Sequence, residues 1–160
     1  MFPIKIKNKA EKVFKLCLKK KIKLSFAESC TGGLLSSLIT SFPNSSKIFN
    51  SGFVTYSNLS KKNLLGVKEK TLKKYGAVSY KIAEEMVIGV WKKDKINIAL
   101  SITGIAGPKG GSNQKKIGLV YIGIKSKKGV LVKEFNFNGN REKIRFDSIE
   151  KAIDLISSVI

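Results

Sequence analysis

The sequence contains no histidine, and this absence excludes several kinds of active site. A catalytic triad with an imidazole base and a metal centre ligated by histidine both need a residue that the chain does not have. Cysteine is also scarce: only Cys17 and Cys30 occur, which excludes cysteine-rich zinc modules and disulfide scaffolds. Two isolated cysteines without a visible signal peptide favour reduced thiols in the cytoplasm, although the count still allows one bridge.

Long apolar runs are missing as well. No stretch approaches the roughly 20 residues that a membrane span needs. Lysines begin at Lys5, where a secretory signal would have its apolar centre. We therefore expect a cytoplasmic protein without a membrane partner. Its 160 residues, 42% of them hydrophobic, fit one domain over residues 1–160 with a core of its own.

Negative charge is scarce, because 31 Lys and Arg face 11 Asp and Glu, a net charge of +20. Such a charge fits nucleic-acid binding, since lysines that neutralise phosphates release counterions. Composition offers another explanation, because the abundant Lys, Asn and Ile all have A/T-rich codons. The lysines are spread in short groups, whereas nucleic-acid readers usually add arginine and aromatic residues. We favour a solvated lysine surface with no specific nucleic-acid partner.

The order of predicted elements indicates an α/β fold. Apolar spacing predicts helices at about 7–19, after Gly32–Gly33, in the turns before Gly66, after the N-cap Ser79 and at about 141–159. Extended segments are predicted at 23–28, 48–56 and 96–103, with a late hairpin from 117–125 and 130–138 around Lys128–Gly129. This order predicts a three-layer α/β/α domain with a mixed, mostly parallel sheet of about five strands.

The first candidate site segment runs from Glu28 to Gly33, from a predicted strand into a helix. A serine at such a corner is exposed, and adjacent N–H groups could hold a phosphate or an oxyanion. The alternative is a simple helix start capped by Ser29 or Thr31. Two glycines in a first helical turn destabilise the helix by about 1 kcal/mol each, which counts against a simple helix start. The two interpretations are therefore balanced. Cys30 has no histidine base, so a buried packing thiol is favoured.

A serine in a histidine-free chain needs a lysine, a tyrosine or a carboxylate as its base. A lysine can act in this way only when burial or other cations lower its pKa. Composition cannot select one lysine among so many. Tyr56 and Lys61 follow the second predicted strand and are candidates on that ground alone.

The second candidate segment is the glycine loop, residues 103–112, with four glycines and one proline after a predicted strand. Its N–H groups can form a nest for an anion. Neither a Walker A pattern nor a dinucleotide fingerprint is present. A hairpin connection is the alternative, but about nine residues is long for one.

Arg141 and Arg145 allow two interpretations. They are either ordinary surface residues, or their planar guanidinium groups bind a carboxylate or a phosphate through paired hydrogen bonds.

Taken in order, these motifs resemble the CinA C-terminal domain family, whose stand-alone members are PncC-type nicotinamide-nucleotide amidohydrolases. The resemblance runs from about residue 8 to the end. It rests on AESCTGG (27–33), GFVTYSNLSKKNLLGV (52–67), YGAVS (75–79), TGIAGPKGGS (103–112) and IGLVYIGI (117–124). The departures are mild: Leu59–Ser60 replaces the more usual Glu-Ala, and Asn140 replaces Asp.

The resemblance implies an amidase that converts nicotinamide mononucleotide and water to nicotinate mononucleotide and ammonia, in the recycling of pyridine nucleotides. It implies Ser29 as the nucleophile, Lys61 as its base and Tyr56 in the same network, without metal or cofactor. The expected substrate-binding residues are Cys30, Thr31, Gly32, Gly33, Thr103, Gly104, Gly107, Gly110, Gly111, Arg141 and Arg145, the two arginines helping to hold the phosphate. Domains of this kind often pair, so we expect a homodimer.

Three other interpretations stay open. The same serine–lysine chemistry could act on another small amide, because pocket specificity cannot be derived from this sequence. A protein without turnover could use the charge of +20 to bind nucleic acid or another polyanion. A structural or regulatory module could keep the fold alone, although all the proposed reacting residues are present.

Overall fold

The computed structural model describes all residues, Met1–Ile160, and is built on a five-stranded sheet in the order β2-β1-β3-β4-β5. The strands are β1 (Leu24–Glu28), β2 (Phe49–Val54), β3 (Ile98–Gly104), β4 (Leu119–Ser126) and β5 (Gly129–Asn136). Strand β1 is parallel to β2 and β3, whereas β4 is antiparallel to β3 and β5. Four of the five strands thus run in one direction, which confirms the predicted mixed, mostly parallel sheet.

Six helices cover the two faces of the sheet. They are α1 (Ile4–Lys20), α2 (Leu34–Thr40), α3 (Asn58–Leu65), α4 (Glu69–Tyr75), α5 (Tyr80–Lys93) and α6 (Arg141–Val159). Helices α1, α2 and α6 share one apolar cluster with the sheet, and α3, α4 and α5 share the other. The predicted three-layer α/β/α architecture is therefore confirmed. No helix combines the length and apolarity needed to cross a membrane.

Alternation along the strands gives the two faces different side chains. In β3, Ile98, Leu100 and Ile102 enter the cluster with α1, α2 and α6, whereas Ala99 enters the other. Small residues on the second face let α5 approach closely. A Cβ on Gly123 would lie 2.9 Å from the Ala83 carbonyl oxygen of α5. Helix α5 thus packs directly on the sheet, and α3 packs against α5.

Helix α3 is positioned by an even closer contact with α5. A Cβ added at Gly89 would lie 2.2 Å from the Leu65 carbonyl oxygen, so only a glycine allows the two helices to meet there. The predicted end of α3 at Gly66 is also found, with a φ of +69°. This contact matters because α3 carries Lys61.

Candidate active site

Ser29 is fixed on both sides where β1 ends. Its backbone N–H donates to the Ile102 carbonyl of β3 at 2.9 Å. The carboxylate of the preceding Glu28 accepts from the N–H of Leu35 at 3.1 Å and from the N–H and hydroxyl of Ser36 at 2.8 and 2.7 Å. Glu28 therefore satisfies the N-terminus of α2, and the N-cap position itself is Gly33, without a side-chain cap. The capping alternative for Ser29 does not hold.

Lys61 reaches Ser29 from α3. Its Nζ lies 2.9 Å from Ser29 Oγ, 2.7 Å from the Thr55 carbonyl oxygen and 3.5 Å from the Tyr56 carbonyl oxygen. A capping box starts this helix, in which Ser57 and Ser60 each accept a hydrogen bond from the other's backbone N–H. The lysine is thus held within the first turns of a helix that is fixed at both ends.

The surroundings of Lys61 favour its neutral form. Only 1% of the residue is exposed, and this burial lowers the pKa of its amine to about 8. No carboxylate hydrogen-bonds or ion-pairs with it. A neutral amine has two N–H groups, which the carbonyls of Thr55 and Tyr56 can accept, and one lone pair for the hydroxyl of Ser29. The arrangement thus places a serine hydroxyl within hydrogen-bond reach of an amine that is able to accept its proton.

Cys30 is a poor nucleophile despite its position next to Ser29. It is buried, and burial raises the pKa of its thiol to about 12. A thiol with such a pKa is protonated near neutral pH and is therefore unreactive. The expected packing role agrees with this environment, and Cys17 is likewise free and buried.

Ser29 and Lys61 open into a pocket of about 230 Å³ between the glycine loop, the end of β2 and the connection from α4 to α5. Of the predicted site residues, nine line it: Ser29, Cys30, Tyr56, Lys61, Thr103, Gly104, Gly107, Gly110 and Arg141. Five do not: Thr31, Gly32, Gly33, Gly111 and Arg145. Five lining residues were not predicted: Ala77, Val78, Ile105, Ala106 and Lys109. All five lie in the YGAVS motif or in the glycine loop, so these two motifs could have indicated them as site residues.

Tyr56 and Arg141 form a bridge across the mouth of the pocket. One guanidinium nitrogen of Arg141 donates to the Tyr56 hydroxyl at 2.9 Å, and another donates to the Gly107 carbonyl oxygen at 2.7 Å. Tyr56 is 59% exposed, and its phenol makes no hydrogen bond to Ser29 or Lys61. Tyr56 joins the lysine network only through its backbone carbonyl, and of the two side chains only the Lys61 amine hydrogen-bonds to the Ser29 hydroxyl.

Arg145 serves a different segment from Arg141, although both begin α6. Its Nη2 donates to the Thr31 carbonyl oxygen at 2.6 Å, and its buried Nε has no partner. The same Nη2 would lie 3.7 Å from a Cβ added at Gly32. Arg145 thus supports the turn after Ser29 from outside the pocket, through a carbonyl and not through a carboxylate.

Backbone N–H groups are available on one wall of the pocket. Those of Ala106 and Gly107 donate to no protein acceptor, and both residues line the pocket. The N–H of Ser29 itself is already bonded to Ile102. The N–H of Cys30, which also lines the pocket, donates to no other residue, so the turn after Ser29 and the glycine loop both offer donors of the kind that an oxyanion requires.

A family model described as the CinA C-terminal domain matches residues 6–160. The sequence is 51% identical over 142 residues to a CinA-like protein of Endomicrobium trichonymphae, which covers 89% of this chain and 33% of that protein. It is 48% identical over 146 residues to a Thermoanaerobacter protein named as competence-damage inducible, covering 91% of this chain and 35% of that protein. The chain thus spans about a third of the length of these curated relatives.

Solved structures share the same fold. The crystal structure of the competence/damage inducible protein CihA from Agrobacterium tumefaciens superposes with a TM-score of 0.96 at 37% identity, covering 99% of this chain and 97% of that one. A CinA superfamily protein from Escherichia coli gives a TM-score of 0.92 at 28% identity, covering 97% and 90%.

Proposed function

Since the chain belongs to the CinA C-terminal domain family, we propose that it is an amidase that hydrolyses nicotinamide mononucleotide with Ser29 as nucleophile and Lys61 as base. One observation carries the proposal: Lys61 Nζ is buried 2.9 Å from Ser29 Oγ, inside a pocket, with no carboxylate to hold its proton. Such a pair activates a serine hydroxyl without histidine.

The reaction follows from this pair in two halves. Neutral Lys61 takes the hydroxyl proton while Ser29 Oγ attacks the carboxamide carbon, and the ammonium then returns the proton to the departing ammonia. This leaves an acyl-enzyme on Ser29. A water molecule attacks the acyl carbon, Lys61 accepts its proton, and the proton returns to Ser29 Oγ as nicotinate mononucleotide is released.

The oxyanion of both halves needs preorganised donors. The sequence left two sources open, the turn after Ser29 and the glycine loop. Both sources offer donors, because the N–H groups of Cys30 in the turn and of Ala106 and Gly107 in the loop donate to no other residue, and all three residues line the pocket.

The charge of the pocket supports an anionic substrate. Apart from Lys61, which the mechanism needs in its neutral form, the lining includes the cations Lys109 and Arg141 but no Asp or Glu. Lys109 is exposed and makes no ion pair, so its ammonium group is available for a phosphate. Arg141 uses two of its five N–H groups on Tyr56 and Gly107 and keeps the others. Arg145, outside the pocket, is not part of this proposal.

The test is ammonia release from nicotinamide mononucleotide by wild type, Ser29→Ala and Lys61→Met, with Lys62→Met as control. We expect turnover by wild type and Lys62→Met, none by Ser29→Ala, and a loss of about 10²- to 10⁴-fold in Lys61→Met. Lys62 is the right control because it is the next residue of α3 and pairs only with Glu69.

Substrate choice is tested in the same assay with nicotinamide riboside, which lacks the phosphate. If Lys109 and Arg141 hold the phosphate, the riboside has the higher KM, and Arg141→Ala raises the KM for the mononucleotide alone. Full activity of Ser29→Ala would eliminate the acyl-enzyme. Folded wild type that releases ammonia from another small amide, but not from the mononucleotide, would refute the proposed substrate.

A further inference from the structure

Lys115 makes an unusual contact beside the pocket, with the segment that contributes Val78 to the lining. Its Nζ donates to two backbone carbonyl oxygens of the α4–α5 connection, Tyr75 at 2.5 Å and Val78 at 2.7 Å. No carboxylate ion-pairs with it. A partly buried ammonium group bonded to two carbonyls is a strong, charge-assisted link between two segments.

The link spans the two walls that form the pocket. Ala77 and Val78 line one side, and the glycine loop lines the other. At the base of this gap, Thr103 Oγ1 donates to the Ala77 carbonyl oxygen at 2.8 Å. Lys115 lies further along the chain, in the β3–β4 connection, residues 105–118, and so joins the walls at a second point.

The β3–β4 connection has few other attachments. Its two ends are tied by the N–H of Ile105 to Leu119 and the N–H of Gly118 to Ile105. The N–H groups of Ala106, Gly107 and residues 109–111 donate to no protein acceptor, and Pro108 has no N–H to donate. Beyond its ends, two side-chain cations hold the connection to the rest of the molecule, Arg141 through the Gly107 carbonyl and Lys115 through the α4–α5 connection.

The local backbone presents the Lys115 side chain in a defined direction. The N–H of Ser112 donates to the Lys115 carbonyl at 2.8 Å, and the N–H of Lys115 donates to Ser112 Oγ at 3.0 Å. This closed turn limits where the side chain can begin. On the other wall, Gly76 has a φ of +72°, and a Cβ there would lie 3.2 Å from Lys115 Nζ. Glycine thus provides both the backbone conformation and the space for the ammonium group.

We propose that Lys115 is a positioning residue: it holds the β3–β4 connection against residues 75–78 and thereby sets the width of the pocket and the place of the Ala106 and Gly107 N–H groups relative to Ser29. The kinetic consequence rests on the proposed function, whereas the positioning itself does not. Lys115 touches neither Ser29 nor Lys61, so its effect on the reaction is transmitted through the loop.

The variants are Lys115→Met, which keeps the length of the side chain but removes the charge, and Lys115→Arg, which keeps the charge. Lys116→Met is the matched control, because Lys116 is exposed and its side chain makes no hydrogen bond or ion pair. Hydrogen exchange is measured at the bonded amides of Ser112 and Gly118. We expect at least fivefold faster exchange in Lys115→Met, wild-type exchange in Lys116→Met and an intermediate rate in Lys115→Arg.

Function is measured in two ways on the same variants. For nicotinamide mononucleotide, we expect Lys115→Met to raise KM at least fivefold, with partial recovery in Lys115→Arg. The labelling rate of Ser29 by a fluorophosphonate, read by mass spectrometry, is expected to fall by a similar factor, because this reaction also uses the oxyanion donors. Labelling needs no knowledge of the amide substrate, so inactivity of wild type on the mononucleotide would refute the proposed function and leave this test intact.

Two results would overturn the inference. Unchanged exchange in Lys115→Met would mean that the link does not hold the connection in place. Faster exchange together with wild-type labelling, and with wild-type KM where the mononucleotide is turned over, would mean that Lys115 stabilises the loop without positioning anything for the reaction. A lower Tm in Lys115→Met does not affect either comparison if exchange and labelling are measured well below the transition.

Discussion

At the scale of single residues, the decisive feature is a lysine whose usual charge is disfavoured. Lys61 is surrounded by two carbonyl oxygens and a hydroxyl, and burial brings the pKa of its amine down to about 8. Under the proposed mechanism Lys61 must be unprotonated to act, so the active fraction is expected to grow as the pH rises toward this pKa. We therefore expect the pH to control the proposed activity through this one side chain.

We expect kcat/KM to rise about tenfold per pH unit below the pKa of Lys61 and to level off above about pH 8. Lys61→Arg keeps a side chain that stays protonated at every accessible pH, so it should lose about 10²- to 10⁴-fold in kcat/KM and show no plateau. The measurement is a pH–rate profile with constant ionic strength. The ordinary pKa of a lysine is 10.5 and that of Lys61 is lowered to about 8, so a lysine base must lose activity as the pH falls below this value. A wild-type profile that is flat from about pH 6 to 9 would therefore contradict a lysine base.

Residues differ in how far the sequence can predict their role. Ser29 was indicated by its place at a strand-to-helix corner, a local feature. Lys61 could not be chosen from composition, because what sets it apart is burial, and burial arises from the packing of α3 on α5. The same limit applies to Arg141 and Arg145, which lie one helical turn apart on α6. Arg141 reaches the mouth of the pocket, whereas Arg145 reaches the turn after Ser29. Only tertiary structure decides between them.

At the scale of elements, the position of Lys61 depends on how closely two helices meet. Gly89→Ala would place a Cβ 2.2 Å from the Leu65 carbonyl oxygen and so force α3 away from α5. We expect a loss of about 1–3 kcal/mol in the free energy of unfolding from overpacking. Activity should fall as well, because the displaced helix carries Lys61. Denaturant unfolding and ammonia release measure the two effects.

Gly66→Ala is the control for this prediction. Gly66 has a φ of +69° and no atom within 4 Å of an added Cβ, so alanine there adds backbone strain of about 1–2 kcal/mol without pushing α3 from α5. Its kcat should stay near that of wild type. Equal kcat in Gly89→Ala and wild type would show that the contact between the helices does not position the base.

Elements with clear boundary signals were the ones the sequence predicted well. Ser79 does cap α5, by accepting from the Ile82 N–H, and Gly66 does end α3. Helix α4 was not predicted. Its seven residues, EKTLKKY, bury only Thr71 and Leu72, too few for an apolar period to emerge. Ala77 and Val78 follow this short helix in the YGAVS motif, and only the folded structure shows that this motif lines the pocket.

At the scale of the whole molecule, positive charge dominates. Because 31 Lys and Arg face only 11 Asp and Glu, most lysines have no acidic partner. Charges of one sign repel one another more in the compact state than in the unfolded chain, and salt screens this repulsion. We therefore infer that repulsion among the surface lysines lowers the free energy of unfolding.

We expect the Tm to rise when NaCl is increased from about 10 to 300 mM, where the screening length falls below about 10 Å. Thermal unfolding followed by circular dichroism measures this, with an uncharged osmolyte at equal osmolality as control. Binding to nucleic acid, if observed, should weaken steeply over the same range and be insensitive to sequence. A Tm that falls with NaCl would mean that ion pairs such as Lys9–Glu150 outweigh the general repulsion.

The β4–β5 turn lies at the end of the sheet opposite the pocket. Lys125 pairs in register with Ala99 near the start of β3, whereas the pocket residue Gly104 ends that strand. Lys127 and Lys128 in the turn are exposed, so a short tag inserted there could attach the molecule to a sensor surface or a bead. Held by that end, every immobilised copy would present its pocket mouth to the solution.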